Sequence, residues 1–224
     1  MIEFIVGEIS NKLRIELNLD DEKYSIIKYG IFALIQILTS IFMVGLFGKL
    51  LGVFIESLLI SFIGAILRKY SGGAHASTPF SCSIIGIIFT VLPAYKIKRG
   101  YYSIYWIIFY GVILYIVALI IIYKLAPVDS PNKRINKREK IKKLKKGSII
   151  ILTIYMVIVI FNILFYNITK NNIFLVYSSC IYIGTLWQVF TLTKLGHIIV
   201  KILDFTLIKI SNILRGSKNE KIKQ

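Results

Sequence analysis

Residues 68–82 read RKYSGGAHASTPFSC and form a polar, glycine-containing break between two apolar segments. Gly72-Gly73 interrupts a helix, because glycine adopts backbone angles that other residues resist. Thr78-Pro79 is typical of a helix start, with threonine as the N-cap and proline at the first helical position. The sequence therefore predicts a loop after the glycine pair, followed by a new helix that has Cys82 in its first turn.

His75 and Cys82 are the candidate catalytic pair of this break. Cys82 follows His75 by seven positions, so on one unbroken helix they would lie about 10.5 Å apart along the axis, too far to share a proton. A loop instead lets the His75 ring fold back over Cys82, which is the pattern of a cysteine nucleophile beside a base. The start of a helix also favours a thiolate. The alternative is a plain loop histidine followed by a packing cysteine.

These residues resemble the accessory gene regulator B family, which are membrane peptidases of bacterial quorum sensing. The family pattern is an arginine that ends an apolar segment, then a double glycine, a histidine and a cysteine seven residues later. Arg68, Gly72-Gly73, His75-Ala76 and Cys82 match it in order and spacing. The resemblance also covers the general plan of the chain, a small protein of about six membrane spans.

The resemblance implies an activity and its partners. The substrate would be the AgrD-like precursor peptide of a secreted autoinducer. A cysteine within that precursor would attack a thioester on Cys82, and the product would be a cyclic thiolactone. The family also implies a homodimer, for which the sequence offers no evidence in either direction.

The composition places the chain in a lipid bilayer. Of its 224 residues, 56% are hydrophobic and 17% are charged, and the apolar residues form long runs. The net charge of +17 favours anionic lipids and an acidic peptide as partners over nucleic acid, because the charges flank apolar segments. Two cysteines give no disulfide framework, and neither metal-ligand spacing nor a nucleotide-binding loop is present, so no cofactor is predicted.

The predicted fold class is all-α, a polytopic membrane bundle that forms one domain over residues 1–224. Six transmembrane helices are predicted between residues 29 and 193, covering residues 29–48, 50–67, 79–95, 101–123, 148–166 and 173–193. Each approaches the ~20 residues that cross ~30 Å of hydrocarbon. The third is the shortest and either crosses or re-enters the membrane, with crossing favoured.

Two amphipathic helices are predicted to lie on the membrane surface. Residues 1–18 place apolar side chains at helical spacing opposite charged ones. Residues 194–215 carry a polar stripe beside a broad apolar face, which favours an interfacial helix over a seventh span. Residues 216–224 are predicted to be a disordered tail.

The distribution of lysine and arginine predicts the topology. With six spans and a cytoplasmic N-terminus, 23 of the 28 positive residues lie on the cytoplasmic side. The cluster at residues 96–99 lies on the opposite side. The loop at residues 124–146 has a net charge of +8 and is either an orientation signal alone or also a dock for an acidic substrate tail. This topology places His75 and Cys82 at the cytoplasmic face, where a reducing compartment suits a free thiol.

Three polar residues near the spans have alternative roles. Arg68 either positions substrate or extends to lipid headgroups. The favoured role of Gln36 is a hydrogen bond to a neighbouring helix. If the first span packs beside the break, Gln36 could instead donate to an oxyanion or orient His75. Glu56 is ionisable within the second span and is expected to pair with Lys49 or with residues 96–99 rather than to act in catalysis.

The second cysteine, the second histidine and the serines of the break are expected to have structural roles. Cys180 is expected to be a small core residue and His197 to be solvated. Serines 71, 77, 81 and 83 are alternative nucleophiles, but a cysteine forms its reactive anion far more readily.

The sequence therefore favours a membrane cysteine endopeptidase that removes the C-terminal tail of a short precursor peptide through a thioester on Cys82. The rival class is a non-enzymatic membrane protein, such as a peptide exporter or a signalling scaffold. A second enzymatic alternative is hydrolysis without cyclisation.

Overall fold

A computed structural model of the chain describes residues 2–74, 76–100, 103–128 and 138–221, with side chains described between residues 5 and 213. Within these ranges the chain forms eight α-helices and one isolated β-bridge. The helices are α1 (Ile2–Glu16), α2 (Asp21–Leu50), α3 (Phe54–Ser71), α4 (Pro79–Arg99), α5 (Ile104–Leu125), α6 (Arg138–Thr169), α7 (Ile173–Phe190) and α8 (Lys194–Lys221). The predicted all-α class is confirmed. The chain divides into two compact units, Met1–Met43 and Val44–Gln224.

Five helices are long and apolar enough to cross a membrane, namely α2, α4, α5, α6 and α7. The third predicted span corresponds to α4, whose 21 residues extend about 31 Å and so have the length to cross. The second predicted span corresponds to α3, which is 18 residues long but contains Glu56, Arg68 and Lys69. Crossing by α3 therefore stays a prediction.

Two helices begin earlier than the sequence predicted. The first span is part of a continuous helix of 30 residues that starts at Asp21. Helix α6 starts at Arg138, within the predicted loop at residues 124–146, so that this loop is shorter than expected. The basic run before the apolar part of α6 consists mainly of lysine, arginine and leucine, which are strong helix formers. Residues 129–137 of the predicted loop lie outside the described residues.

The two terminal helices that the sequence predicted are present as helices. Helix α1 ends at Glu16. Helix α8 starts at Lys194 as predicted but continues to Lys221, beyond the expected end at residue 215. Their position on a membrane surface stays a prediction.

The first unit joins α1 to the start of α2 through polar contacts. The guanidinium of Arg14 lies 2.7 Å from the carboxylate of Asp21. The hydroxyl of Tyr24 donates to the side-chain oxygen of Asn11 at 2.8 Å. Both contacts involve exposed side chains, so each adds only a small amount of stability.

The second unit is built around α3, which packs against α4, α6 and α7. Helices α3 and α7 approach closely at Gly184, where an added Cβ would lie 2.8 Å from the carbonyl oxygen of Ile60. Small residues at such crossings let helix backbones pack tightly in membrane proteins. The hydroxyl of Tyr155 in α6 donates to the carbonyl oxygen of Ile63 at 2.8 Å. These contacts fix the course of α3 and therefore the position of its C-terminal end.

The ionisable residue Glu56 is paired as the sequence predicted. Its side chain is buried, and its Oε1 lies 3.0 Å from Nζ of Lys98. The same ammonium donates to the carbonyl oxygen of Gly52 at 2.9 Å. Lys98 belongs to the last turn of α4 rather than to a loop. Cys180 is fully buried in an apolar cluster with residues of α3 and α4, which confirms its expected place in the core.

Candidate functional site

The break between α3 and α4 begins with two glycines, and any other residue at either position would strain the backbone. Gly72 has φ +70° and Gly73 has φ +129°, values that side chains with a Cβ rarely adopt. A Cβ at Gly72 would contact the backbone of Val128, which forms a β-bridge with it. A Cβ at Gly73 would lie 2.6 Å from Oγ1 of Thr191. The glycine pair therefore ends α3 and lets the loop lie directly against neighbouring backbone.

Cys82 lies in the first turn of α4, as predicted. Thr78 is the N-cap, and its hydroxyl oxygen accepts the backbone N–H of Ser81 at 3.1 Å, with Pro79 at the first helical position. The N–H of Cys82 donates to the carbonyl oxygen of Thr78 at 3.0 Å. The cysteine side chain is partly buried. It thus lies where the positive end of the helix dipole favours a thiolate.

Arg68 reaches from the last turn of α3 to the loop and to Cys82. Its guanidinium donates to the carbonyl oxygen of Gly73 at 3.3 Å and to that of Ala74. Burial lowers the pKa of Arg68, and the negative charge of a Cys82 thiolate acts in the opposite direction with a smaller effect. The two side chains are therefore within electrostatic range of each other. Arg68 both fixes the backbone before His75 and contributes positive charge near the thiol.

The end of α7 holds the same loop through two residues that sequence reasoning missed. Gln188 is buried, and its side-chain amide donates to the Ser71 hydroxyl at 3.0 Å and to the Gly72 carbonyl oxygen at 2.7 Å. The carbonyl oxygen of Thr191 accepts the N–H of Ala74 at 3.0 Å. A glutamine near the end of an apolar span was a signal in the sequence. No neighbouring residue in the sequence indicated that it contacts the break.

Asp204 of α8 makes a further contact with the loop that the sequence did not reveal. Its Oδ2 accepts the backbone N–H of Ser77 at 2.9 Å, across 127 residues of sequence. The sequence placed Asp204 only within the polar stripe of the last helix, without a partner. The structure instead shows it buried against the loop.

For two of the predicted site residues, the role in the site stays a prediction. His75 lies outside the described residues, so its role rests on the sequence. Gln36 is partly buried in the middle of α2 and belongs to the first unit. Its role in the site stays a prediction.

Three serine hydroxyls of the break, those of Ser71, Ser81 and Ser83, have backbone or capping contacts. The hydroxyl of Ser71 donates to the Leu67 carbonyl oxygen at 3.0 Å, and that of Ser83 to the Pro79 carbonyl oxygen at 3.0 Å. The hydroxyl of Ser81 accepts from Thr78. His197 is exposed, as predicted.

Among the described residues, neither a metal cluster nor the cavity between α4, α5 and α7 offers a competing site. Among the described residues, no group of three histidine, cysteine or acidic side chains lies close enough to bind a metal ion. A cavity of about 690 Å³ is lined by residues of α4, α5 and α7 and by Ser103, and the residues of the break are not among those that line it.

Comparison with known proteins identifies the family of this chain. The family model described as "Accessory gene regulator B" matches residues 6–192, a range that includes the whole break and α2 to α7. The chain belongs to the accessory gene regulator B family. Together with its apolar helices, membership makes the chain a multi-pass membrane protein of accessory gene regulator quorum sensing. The family associates with an AgrD-like precursor peptide.

Relatives from two genera support the assignment. An AgrB-like protein of Clostridium perfringens strain SM101 is 41% identical over 208 residues, covering 91% of this chain and 97% of the relative. The accessory gene regulator protein B of Staphylococcus intermedius is 28% identical over 159 residues, covering 70% of this chain and 81% of the relative. No solved structure matches this chain.

Proposed function

We propose that this chain is a membrane cysteine endopeptidase that removes the C-terminal tail of a short autoinducer precursor. The observation that carries the proposal is the place of Cys82, in the capped first turn of α4 and within electrostatic range of Arg68. A helix start and a neighbouring cation both stabilise a thiolate. The base is His75, assigned from its position in the sequence motif.

In the first step, the Cys82 thiolate attacks the carbonyl carbon of the bond to be cleaved. The C–N bond then breaks, and the imidazolium of His75 gives its proton to the departing amine. The tail leaves with a free amino group, and the rest of the precursor stays bound to Cys82 as a thioester. Arg68 stabilises the thiolate before the attack and when Cys82 is released.

In the second step, a cysteine within the bound precursor attacks the thioester carbon. Its thiol gives its proton to the now neutral imidazole of His75, a new C–S bond closes the ring, the C–S bond to Cys82 breaks, and Cys82 leaves as a thiolate. Because one thioester is exchanged for another, the step is close to neutral in energy, and water must be kept away from the acyl-enzyme. The loop is tied to α7 and α8 on either side of His75, which supports a site that is partly shielded from solvent.

The cytoplasmic face is the proposed location of the N-terminus and of the site. The proposal is supported by the 23 of 28 positive residues that the six-span topology places inside. The basic segment that leads into α6 would bind the acidic tail of the precursor and anionic lipid headgroups. A homodimer is proposed on family grounds alone.

Intact mass spectrometry of the purified protein in liposomes with its precursor peptide tests the proposal. We expect an adduct on Cys82 with the mass of the tail-less precursor, removable by hydroxylamine. Cys82→Ala should form no adduct and release no tail. Cys180→Ala is the matched control, because this second cysteine is buried in the core, and it should behave as the wild type. A wild-type protein that forms no adduct and releases no tail would contradict the proposal.

The same measurement separates the alternative functions. A non-catalytic exporter or signalling scaffold predicts precursor of unchanged mass with both the wild type and Cys82→Ala. Hydrolysis without cyclisation predicts a product heavier than the thiolactone by one water. The proposed exchange predicts the lighter, cyclic product.

A further inference from the structure

Asp204 differs from the other charged residues in the described part of α8. Its side chain is 9% exposed, whereas the lysines at positions 194, 201 and 209 are exposed. An ionised carboxylate is costly to bury unless it is bonded to partners. If Asp204 were only one of the polar residues on the solvent side of an interfacial helix, its side chain would be exposed to water. The burial of Asp204 therefore indicates a specific role on the inner face of α8.

The position of that carboxylate is defined by its contact with the break. Oδ2 of Asp204 accepts the N–H of Ser77 at 2.9 Å, and Ser77 follows His75 by two residues in the sequence. Helix α8 also packs against α4, which carries Cys82. The contact thus joins the last helix to the segment between the two proposed catalytic residues.

The loop is consequently held on both sides of His75 by different helices. Before it, the Ala74 N–H donates to Thr191 and the Ala74 carbonyl accepts from Arg68. After it, the Ser77 N–H donates to the carboxylate of Asp204.

We propose that Asp204 is a positioning residue of the site, which fixes the loop between α3 and α4 by accepting the backbone N–H of Ser77. The inference deepens the proposed function and rests on it. The family match ends at residue 192, so it assigns no role to any residue of α8. Asp204 acts through the loop backbone and does not contact the substrate.

The test compares Asp204→Ala with Asp204→Asn in a Cys180→Ala background, where Cys82 is the remaining thiol. Asparagine keeps a side-chain oxygen that accepts the Ser77 N–H, whereas alanine removes it. Lys201→Ala is the matched control, because Lys201 is exposed on the same helix. All variants are studied as the full chain in liposomes.

Three readouts are measured. They are hydrogen exchange in residues 76–81, the rate at which iodoacetamide alkylates Cys82, and kcat and KM for tail release. With Asp204→Ala we expect faster exchange, a changed alkylation rate and a kcat lowered by about tenfold or more, with KM within about twofold of the wild type. Asp204→Asn should restore kcat to within about threefold, and Lys201→Ala should match the wild type in all three.

Two results would overturn the positioning role. One is an Asp204→Ala protein with wild-type exchange and wild-type kcat. The other is an Asp204→Asn protein as impaired as Asp204→Ala, which would mean that the hydrogen bond to Ser77 does not carry the effect. If Asp204→Ala does not fold, exchange in the wild type decides, because an unprotected Ser77 amide contradicts the contact. If the wild type cleaves no precursor, the proposed function fails, while exchange and alkylation still report on Asp204.

Discussion

The side-chain amide of Gln188 donates to the carbonyl oxygen of Gly72 at 2.7 Å, across 116 residues of sequence. The same amide donates to the Ser71 hydroxyl at 3.0 Å. Because Gln188 is buried, these bonds form where water does not compete well with them. They attach the end of α3 to the end of α7, so the break starts from a fixed point.

Gln188→Leu should loosen this attachment. The change leaves the Gly72 carbonyl and the Ser71 hydroxyl without this donor, at a cost of about 1–3 kcal/mol in the free energy of unfolding. We expect a lower melting temperature in detergent and slower tail release. Ser71→Ala keeps the bond to Gly72, so its effect should be smaller. Equal effects from both variants would contradict the assignment of the main contact to Gly72.

Gly72→Ala should harm the protein more than Gly52→Ala. Both glycines have a positive φ, +70° and +69°, so alanine is strained at either position, and at Gly72 the ψ of −150° adds to the strain because this region is nearly restricted to glycine. A Cβ at Gly52 meets open space, whereas a Cβ at Gly72 contacts the backbone of Val128. The clash should add about 1–3 kcal/mol. Melting temperatures and tail release of the two variants check the difference, and equal losses would contradict it.

Arg68→Gln should slow the alkylation of Cys82 by about tenfold at neutral pH. Removing a positive charge within electrostatic range of a thiol lowers its thiolate fraction by an amount of this order. Arg68→Lys should recover part of the rate, since lysine keeps the charge but not the planar pair of donors. The matched control is Lys69→Gln, because Lys69 is exposed. Wild-type alkylation in Arg68→Gln would exclude the proposed charge effect.

Lys98→Met should destabilise the protein by leaving the buried carboxylate of Glu56 without its cation. Because the Lys98 side chain is 48% exposed, we expect a cost of about 1–3 kcal/mol, less than for a fully buried pair. The double variant Glu56→Gln/Lys98→Met should recover most of the loss. Lys96→Met, at an exposed neighbouring position, should have little effect. Thermal unfolding in detergent measures all four proteins.

Labelling of introduced cysteines checks the topology. In a Cys82→Ala/Cys180→Ala background, Lys69→Cys and Lys170→Cys place single thiols at exposed positions. A membrane-impermeant maleimide should label Lys69→Cys in inverted vesicles only and Lys170→Cys in right-side-out vesicles only. The reverse pattern would place the site outside the cell. If both variants were labelled in the same kind of vesicle only, the chain could not cross the membrane an odd number of times between residues 69 and 170.

The local features of the site were predictable from the sequence because they depend on neighbouring residues. Thr78-Pro79 determines the start of α4 through the geometry of the cap and of proline, and it brings Cys82 into the first turn. The glycine pair ends α3 through its positive φ values. The apolar runs determined the all-α membrane class. The charge of Glu56 was enough to predict a basic partner, because a buried carboxylate needs one.

Only the tertiary structure decided which distant residues hold the break. Gln188, Thr191 and Asp204 come from α7 and α8, more than 100 residues further along the chain, and their contacts depend on how α3, α4, α7 and α8 pack. Periodicity identifies the apolar face of a helix but not the neighbour that the face meets. The sequence thus determined where the loop and its helix begin. The packing of the bundle decided which side chains fix them, because hydrogen bonds between helices depend on spatial proximity and not on separation in sequence.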